Sequence, residues 1–465
     1  MTNSRREFIK NTALAGAGMG LSPLAAAMSA TAAPRPGNSV YLGGFAAPEI
    51  PLIRCALIGV GARGSQHAEQ LAAIPGTEIV AISDLYQDWA EASTEKCREI
   101  GKGERHRDIA LYHGDEKLWR GMLEEQKPDA VFISTPCSTH SEMAIGSMEQ
   151  GAHAFVEVPL AVTLDELWKI VDTAERMRKH CMMMENVNYG REELLYLNMC
   201  RQGAIGELLH GEAAYIHELR WQMDEVDRRT GSWRTPHYAK RDGNLYPTHG
   251  LGPVAQYMNL ARGEDNFARM VSFSSPGLGR NAHARANYPE GHKWNQLDFK
   301  GGDMNTSIVK TVLGRTIMVQ WDETSPRPYS RHNLVQGTKG ILAGFPARAA
   351  FEGGWEGLTE DHHRWIEGDH MEVLYEKFEH PLYTRLGALA TEMGGHGGMD
   401  FMMLYRIVEC LREGLPLDQN LYEGAYWSAV SPLSEASVAQ DGMPQAFPDF
   451  TRGAWKDTAP LDIVA

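Results

Sequence analysis

The sequence predicts an α/β fold: a doubly wound parallel sheet at the front, then an α+β domain with an open, largely antiparallel sheet. Three observations predict it. A glycine-rich turn stands between a strand and a helix near residue 60, and apolar strand segments alternate with amphipathic helices up to residue 187. Longer segments of alternating polarity follow. At 465 residues, with 43% hydrophobic and 23% charged, the chain has the balance of a globular protein of two or three domains. A net charge of −15 repels phosphate backbones and argues against a nucleic-acid partner.

The chain opens Ser4-Arg5-Arg6-Glu7-Phe8-Ile9-Lys10, continues through a weakly apolar stretch from Thr12 to Met28, and reaches small residues at Ala30-Thr31-Ala32. A charged start, a short apolar run and an A-x-A ending describe a signal peptide over residues 1–32. The paired arginines resemble the twin-arginine export signal, so a periplasmic or otherwise exported protein, moved in its folded state, is expected. No later segment is long and apolar enough to predict a membrane span. Residues 33–51, rich in Pro, Gly and Ala, read as a linker or arm. None of Cys55, Cys97, Cys137, Cys181, Cys200 and Cys410 forms a C-x-x-C pair, so free buried thiols are expected.

Residues 52–187 read as a dinucleotide-binding Rossmann domain. The apolar run Ile53 to Ile58 predicts a buried parallel strand, followed by Gly59-Val60-Gly61-Ala62-Arg63-Gly64 and a helix from Ser65 to Ile74. The first glycine allows the tight turn, the second lets backbone approach a pyrophosphate, and the third lets helix pack on strand. A second strand, Glu78 to Ser83, ends at Asp84, 20 residues after Gly64. That carboxylate can accept from both ribose hydroxyls and repels a 2′-phosphate, which favours NAD over NADP. Further strands, Ala130 to Ser134, Ala154 to Val156 and Cys181 to Met184, run into Thr135 and Cys137-Ser138-Thr139-His140, Glu157-Val158-Pro159, and Glu185-Asn186. In a doubly wound sheet these strand ends share one crevice, so Thr135, His140, Glu157 and Asn186 are expected there. The amphipathic stretch Leu164 to Lys179 predicts the clearest helix.

Residues 188–465 read as an α+β substrate domain. Leu208 to Leu219, and the pair Met304 to Leu313 and Arg315 to Asp322 joined at Gly314, predict long strands. Asp400 to Glu413 predicts a helix. Polar aromatic residues concentrate between these elements: Tyr189, Tyr215 with His217, Trp233-Arg234, Tyr246-Pro247-Thr248-His249-Gly250, Tyr329, and His396 among glycines. Tyrosine and tryptophan offer an apolar face to sugar carbons and a polar tip to hydroxyls. Asp361-His362-His363 with Asp369-His370 lacks regular ligand spacing and reads as a solvated face, so no metal is expected.

These motifs resemble the glucose-fructose oxidoreductase and inositol dehydrogenase superfamily and, more narrowly, the NAD-dependent glycoside hydrolases of family 109. The narrower resemblance runs from about Leu52 to Trp455 and rests on Glu185-Asn186-Val187, Tyr215-x-His217, Trp233-Arg234-Thr235, Tyr246-Pro247-Thr248-His249-Gly250, Arg327-Pro328-Tyr329 and Gly395-His396-Gly397-Gly398-Met399-Asp400. The wider superfamily carries Glu-Lys-Pro where this chain has Glu157-Val158-Pro159. The Glu-Val pair matches the narrower family.

The resemblance implies removal of terminal N-acetylgalactosamine from glycoconjugates. The implied route is oxidation at C3, elimination, water addition and reduction through a 3-keto sugar. It implies NAD contacts at Arg63, Asp84, Cys137 to His140, Glu157, Val158 and Asn186. Sugar contacts are implied at Tyr215, Arg234, Tyr246 to His249 and Tyr329, with Tyr189 and His396 near the chemistry. Tyr189, Tyr246 and His249 are the candidates for proton transfer. The alternative is an exported NAD(P)-dependent sugar oxidoreductase with tightly held cofactor. The open sheet face suits a homodimer, by analogy alone.

Overall fold

The computed structural model describes residues 34–461 apart from Gly103 and His362, and the expected export signal lies outside the described residues. Six parallel strands form the first sheet: β1 (Ile53–Ile58), β2 (Thr77–Asp84), β3 (Ala110–His113), β4 (Ala130–Ile133), β5 (His153–Val156) and β6 (Cys181–Met183). Their order, β3-β2-β1-β4-β5-β6, reverses at β1, and the crevice beyond β1 and β4 is where a doubly wound sheet binds ligands. All residues of β4 and β5 are buried, as helices on both faces require of apolar runs. Edge strand β3 is half-buried throughout and carries no comparable run in the sequence.

The helix Leu164–Met177 starts at a capping box, Thr163 with Glu166, and stops where Arg178 turns left-handed. Among the six cysteines, all free, only Cys200 is partly exposed.

The second sheet has nine strands, adding β7 (Leu208–Ile216), β8 (Phe267–Ser274), β9 (Asn305–Thr311), β10 (Thr316–Asp322), β11 (Leu334–Gly337), β12 (Gly340–Ala343), β13 (Arg348–Phe351), β14 (Ile366–Glu367) and β15 (Gln445–Ala446). Their order is β14-β13-β12-β11-β7-β10-β9-β8-β15, and every pair but β7 with β10 is antiparallel. The β9–β10 turn contains Gly314 at φ +87°. The helix Thr248–Tyr257 packs on β7, and the helix Leu421–Val438 lies against β8, β6 and the helix Leu164–Met177. Sequence periodicity misses this last helix because nearly all its residues are buried, leaving no polar stripe.

The arm before β1 is packed. Val40 N donates to the Glu175 carbonyl (3.2 Å), Leu42 N to the Tyr422 hydroxyl (3.1 Å) and Ile50 N to the Leu411 carbonyl (3.0 Å).

Candidate active site

The three glycines of the turn after β1 stand where a side chain would be crowded. A Cβ on Gly64 would lie 1.8 Å from the Gly59 carbonyl oxygen, one on Gly59 2.9 Å from the Ser134 carbonyl oxygen, and one on Gly61 3.1 Å from the Trp89 ring. Gly59 also adopts φ +82°. Ala62 is exposed at the tip, and the helix Gly64–Ala73 starts directly behind it. Bare backbone at a helix N-terminus is the cradle a pyrophosphate needs. Asp84, at the end of β2, accepts from Val60 N (2.7 Å) and Tyr86 N (2.8 Å). Burial lifts its carboxyl above the ordinary aspartate value despite these donors. Its remaining lone pairs suit ribose hydroxyls, so the residues present fit NAD.

Beyond β4, Cys137–Thr139 form a 3₁₀ turn leading into the helix His140–Glu149. Ser138 is exposed there, while the Thr139 and Thr135 hydroxyls lie 2.8 Å apart. Burial pushes the Cys137 thiol up to about 11, so it stays protonated, 3.7 Å from His237 Nε2. The His140 ring, expected in the crevice, is buried with both nitrogens against backbone carbonyls. Its nitrogens lie 2.7 Å from the Pro159 carbonyl and 2.9 Å from the Thr135 carbonyl, tying two strand-end turns together.

Arg63 connects the turn to the far end of the chain. It donates to Asp400 through Nη1 (2.8 Å) and Nη2 (3.1 Å), and to Glu157 through Nε (3.1 Å). His67 Nε2 lies 2.7 Å from the same Glu157 oxygen, and Asn186 Nδ2 donates to Asp400 (2.6 Å). Burial works against the charge on Glu157, yet Arg63 and His67 hold its carboxyl well below the usual range. For Asp400, His396 and Arg63 likewise outweigh burial. His396 Nδ1 sits 2.7 Å from Asp400, at φ +48° between Gly394, Gly395, Gly397 and Gly398, all with positive φ. Val158 is buried beside Glu157. Asp400 ends the glycine–histidine motif, which was its only signal in the sequence.

The aromatic residues meet next to this network. Tyr215, near the end of β7, has its ring centre 4.6 Å from Tyr246 and 5.3 Å from His249, and Tyr246 lies 5.0 Å from His249. Tyr246 feels the charges of both Arg234 and Glu157, which places it at the junction with the cofactor crevice. Pro247 and Thr248 begin the helix Thr248–Tyr257, with Thr248 buried. Gly250 lets that first turn lie on β7, since a Cβ there would stand 2.3 Å from Ala214 N. Arg234 approaches the Tyr246 ring at 5.4 Å and donates to Gln222 (3.3 Å). Tyr329 is 39% exposed, its ring 4.9 Å from His217 and its hydroxyl accepting from Arg331 (2.8 Å).

Burial raises the Tyr215 and Tyr246 hydroxyls well above the ordinary tyrosine value, so both keep their protons. Burial lowers His217, whose Nδ1 lies 3.0 Å from the Tyr215 hydroxyl. Tyr189 is not brought into this cluster. It is buried, with its hydroxyl 3.2 Å from Asp418, an aspartate held by Arg406. Glu185, which sequence reading left without a role, stands at the end of β6 with Oε1 2.6 Å from His249 Nδ1. Among the described residues no cluster of side chains has a metal-binding arrangement.

Two family models match the chain: "Oxidoreductase family, NAD-binding Rossmann fold" over residues 53–185 and "Glycosyl hydrolase 109, C-terminal domain" over residues 189–457. Glycosyl hydrolase family 109 protein 1 of Akkermansia muciniphila is 62% identical over 433 residues, covering 93% of this chain and 88% of the relative. Alpha-N-acetylgalactosaminidase of Shewanella oneidensis is 52% identical over 461 residues, covering 99% and 98%. A solved levoglucosan dehydrogenase, in complex with NADH and levoglucosan, has a TM-score of 0.63 at 17% identity, covering 85% of this chain and 100% of that one. At that identity the likeness establishes the fold alone.

Proposed function

We propose that this chain, which belongs to glycosyl hydrolase family 109 and carries an NAD-binding Rossmann domain, releases terminal N-acetylgalactosamine from glycoconjugates through a 3-keto sugar. The observation that carries this reading is how the carboxylates are engaged. Ordinary glycosidases set two carboxyl groups across the scissile bond as acid and as base or nucleophile. Around these tyrosines, Glu157 and Asp400 are held by Arg63, Glu185 by His249, and Glu323 by Arg280. His249 keeps a nitrogen free beside the tyrosines, which suits proton abstraction better than displacement. The kinship with the Shewanella enzyme supports the choice of sugar.

NAD, held by the glycine turn and Asp84, would supply the acceptor for hydride from C3 and give it back at the end of the cycle, with the C3 hydroxyl proton leaving to water and returning from it. A C3 ketone acidifies the C2 proton, which His249 removes. The C–H electron pair becomes the C1–C2 double bond as the glycosidic oxygen leaves. Water then adds at C1, and His249 gives a proton back to C2. Tyr246, kept protonated, donates to a sugar oxygen, while Arg234 and Tyr329 orient the ring. Export through the twin-arginine route fits this chemistry, because a self-restoring cofactor loaded before transport needs no outside supply.

Purified protein is incubated with p-nitrophenyl N-acetylgalactosaminide and no added electron acceptor, in heavy water. Nitrophenol release over many turnovers, with deuterium at C2 of the freed sugar, is the expected outcome. No release overturns the glycosidase, and release without deuterium overturns elimination. A sugar oxidoreductase, the reading the dehydrogenase fold favours, would instead stop with its cofactor reduced.

A further inference from the structure

His249 is presented by the first turn of the helix Thr248–Tyr257 and keeps 15% of its side chain exposed, whereas the Glu185 side chain is completely buried. The two are 64 residues apart in sequence and come from different layers, Glu185 from the end of the first sheet and His249 from a helix covering the second. Glu185 Oε1 lies 2.6 Å from His249 Nδ1 and also accepts from Val187 N at 3.2 Å. Its other oxygen, Oε2, has no partner although it is buried. The backbone is pinned as well, because Gln419 Nε2 donates to the Glu185 carbonyl at 2.8 Å. On the far side of the chain, a Cβ at Gly252 would come within 3.1 Å of Glu185 Cγ, so the carboxylate is packed in place.

Burying a carboxylate at this cost is stabilised by few partners: one backbone N–H and one imidazole. A carboxylate has no proton to give, so the shared hydrogen is the histidine's, carried on Nδ1. That assigns the tautomer. Nε2 then holds the lone pair, and among the described residues it has no protein partner. Facing the ring are Glu185 from the end of β6, Tyr215 from β7, His217 just past it, and Tyr246 from its own turn. Of these, only Glu185 touches Nδ1.

We propose that Glu185 is the positioning residue of the reaction: by accepting Nδ1–H it holds His249 with Nε2 unprotonated and aimed at the sugar, and it stabilises the imidazolium formed when Nε2 takes the C2 proton. This rests on the elimination reading above. The proton moves from C2 to Nε2, its electron pair enters the C1–C2 bond, and the C1–O bond breaks toward the leaving oxygen. Asn186, the next residue, bonds Asp400 in the cofactor network, so residues 185 and 186 couple the base to the hydride site through one peptide.

The test uses the full-length holoenzyme. Glu185→Gln keeps size and packing, and its amide oxygen, held by Val187 N–H, can still accept Nδ1–H, but it removes the negative charge that stabilises the imidazolium. The expected result is a fall in kcat of about 100-fold with KM within about threefold, bound NAD and melting temperature unchanged, and Glu185→Asp recovering part of the loss. A kcat within threefold of wild type overturns the proposal. Should Glu185→Gln not fold, ¹⁵N-histidine NMR of the wild type decides, with the His249 signal assigned by its loss in His249→Asn. An Nδ1–H imidazole supports the assignment and an Nε2–H imidazole overturns it. If the wild type releases no nitrophenol, the glycosidase reading is what falls, and the tautomer measurement still judges the pair.

Discussion

Arg63 answers two buried carboxylates at once, and the balance among the three residues predicts how the protein responds to acid. Asp400 is wholly buried and Glu157 nearly so, and both carboxyls are held below their ordinary values against the opposing effect of burial. Groups with depressed folded-state values contribute stability that is complete above their unfolded values, near pH 4, and is lost as pH falls below them toward the folded values. Melting temperature is therefore expected to hold steady from pH 7 to about 5 and to drop steeply below about 4. Removing the guanidinium takes away the one permanently charged partner, leaving Glu157 with His67, and Asp400 with His396 and Asn186. Arg63→Met is expected to cost about 3 kcal/mol at pH 7, read from urea unfolding. Its acid dependence should also weaken or reverse, because carboxylates without the guanidinium gain from protonation. A melting temperature for Arg63→Met that falls with acid as steeply as the wild type's would contradict this account.

At the scale of elements, the helix Arg229–Ala239 reaches from the second half of the chain to the cofactor turn. Its N-cap residue, Arg228, lies 4.1 Å from the Tyr86 ring and 4.3 Å from the Trp89 ring and donates to Asp88 at 2.8 and 3.1 Å. Trp89 in turn rests on Gly61, and Tyr86 N holds Asp84. Parting this contact loosens both flanks of the dinucleotide cradle, so Arg228→Ala is expected to speed NAD loss from the holoenzyme about fivefold. Chromatography of nucleotide released after gel filtration measures it, and an unchanged loss rate refutes the coupling. None of this was legible in the sequence. The glycine turn, Asp84 and strands β1, β2 and β4 to β6 were, because local spacing and unbroken apolar runs specify them. Strands β11 to β15 were not, being two to four residues long with mixed burial. The site was legible where a motif carried it and silent where a pairing did: Arg63 and Asp400 stand 337 residues apart. For Tyr189 and His140 the motif marks the residue without naming its partners, Asp418 for the one and two backbone carbonyls for the other.

At the scale of the whole molecule, the arm before β1 is bound to helices from both halves of the chain. Arg35 Nε donates to Glu175 (3.1 Å) and Nη2 to the Thr451 carbonyl (2.5 Å), so the start of the described chain is tied to its last segment. Glu175 also accepts from Tyr422 (2.6 Å) and Arg452 (3.1 Å), joining the arm, the helix Leu164–Met177 and the helix Leu421–Val438. Were the proposed signal removed after residue 32, this anchor would stay whole, whereas cleavage past Arg35 would strip it. If the chain is exported and processed as proposed, its mature N-terminus is expected before Arg35, which the intact mass of the processed form determines. Deleting residues 34–50 removes the buried Leu42 and the backbone bonds at Val40, Leu42 and Ile50, an expected loss of about 3 kcal/mol from unfolding free energy. Because the helix Leu421–Val438 packs on both sheets, that loosening reaches the crevice between them, and the deleted form should also come out of purification with less NAD per chain. A deletion variant as stable and as NAD-loaded as the full arm would mean that the two sheets hold the cofactor without the strap that crosses behind them.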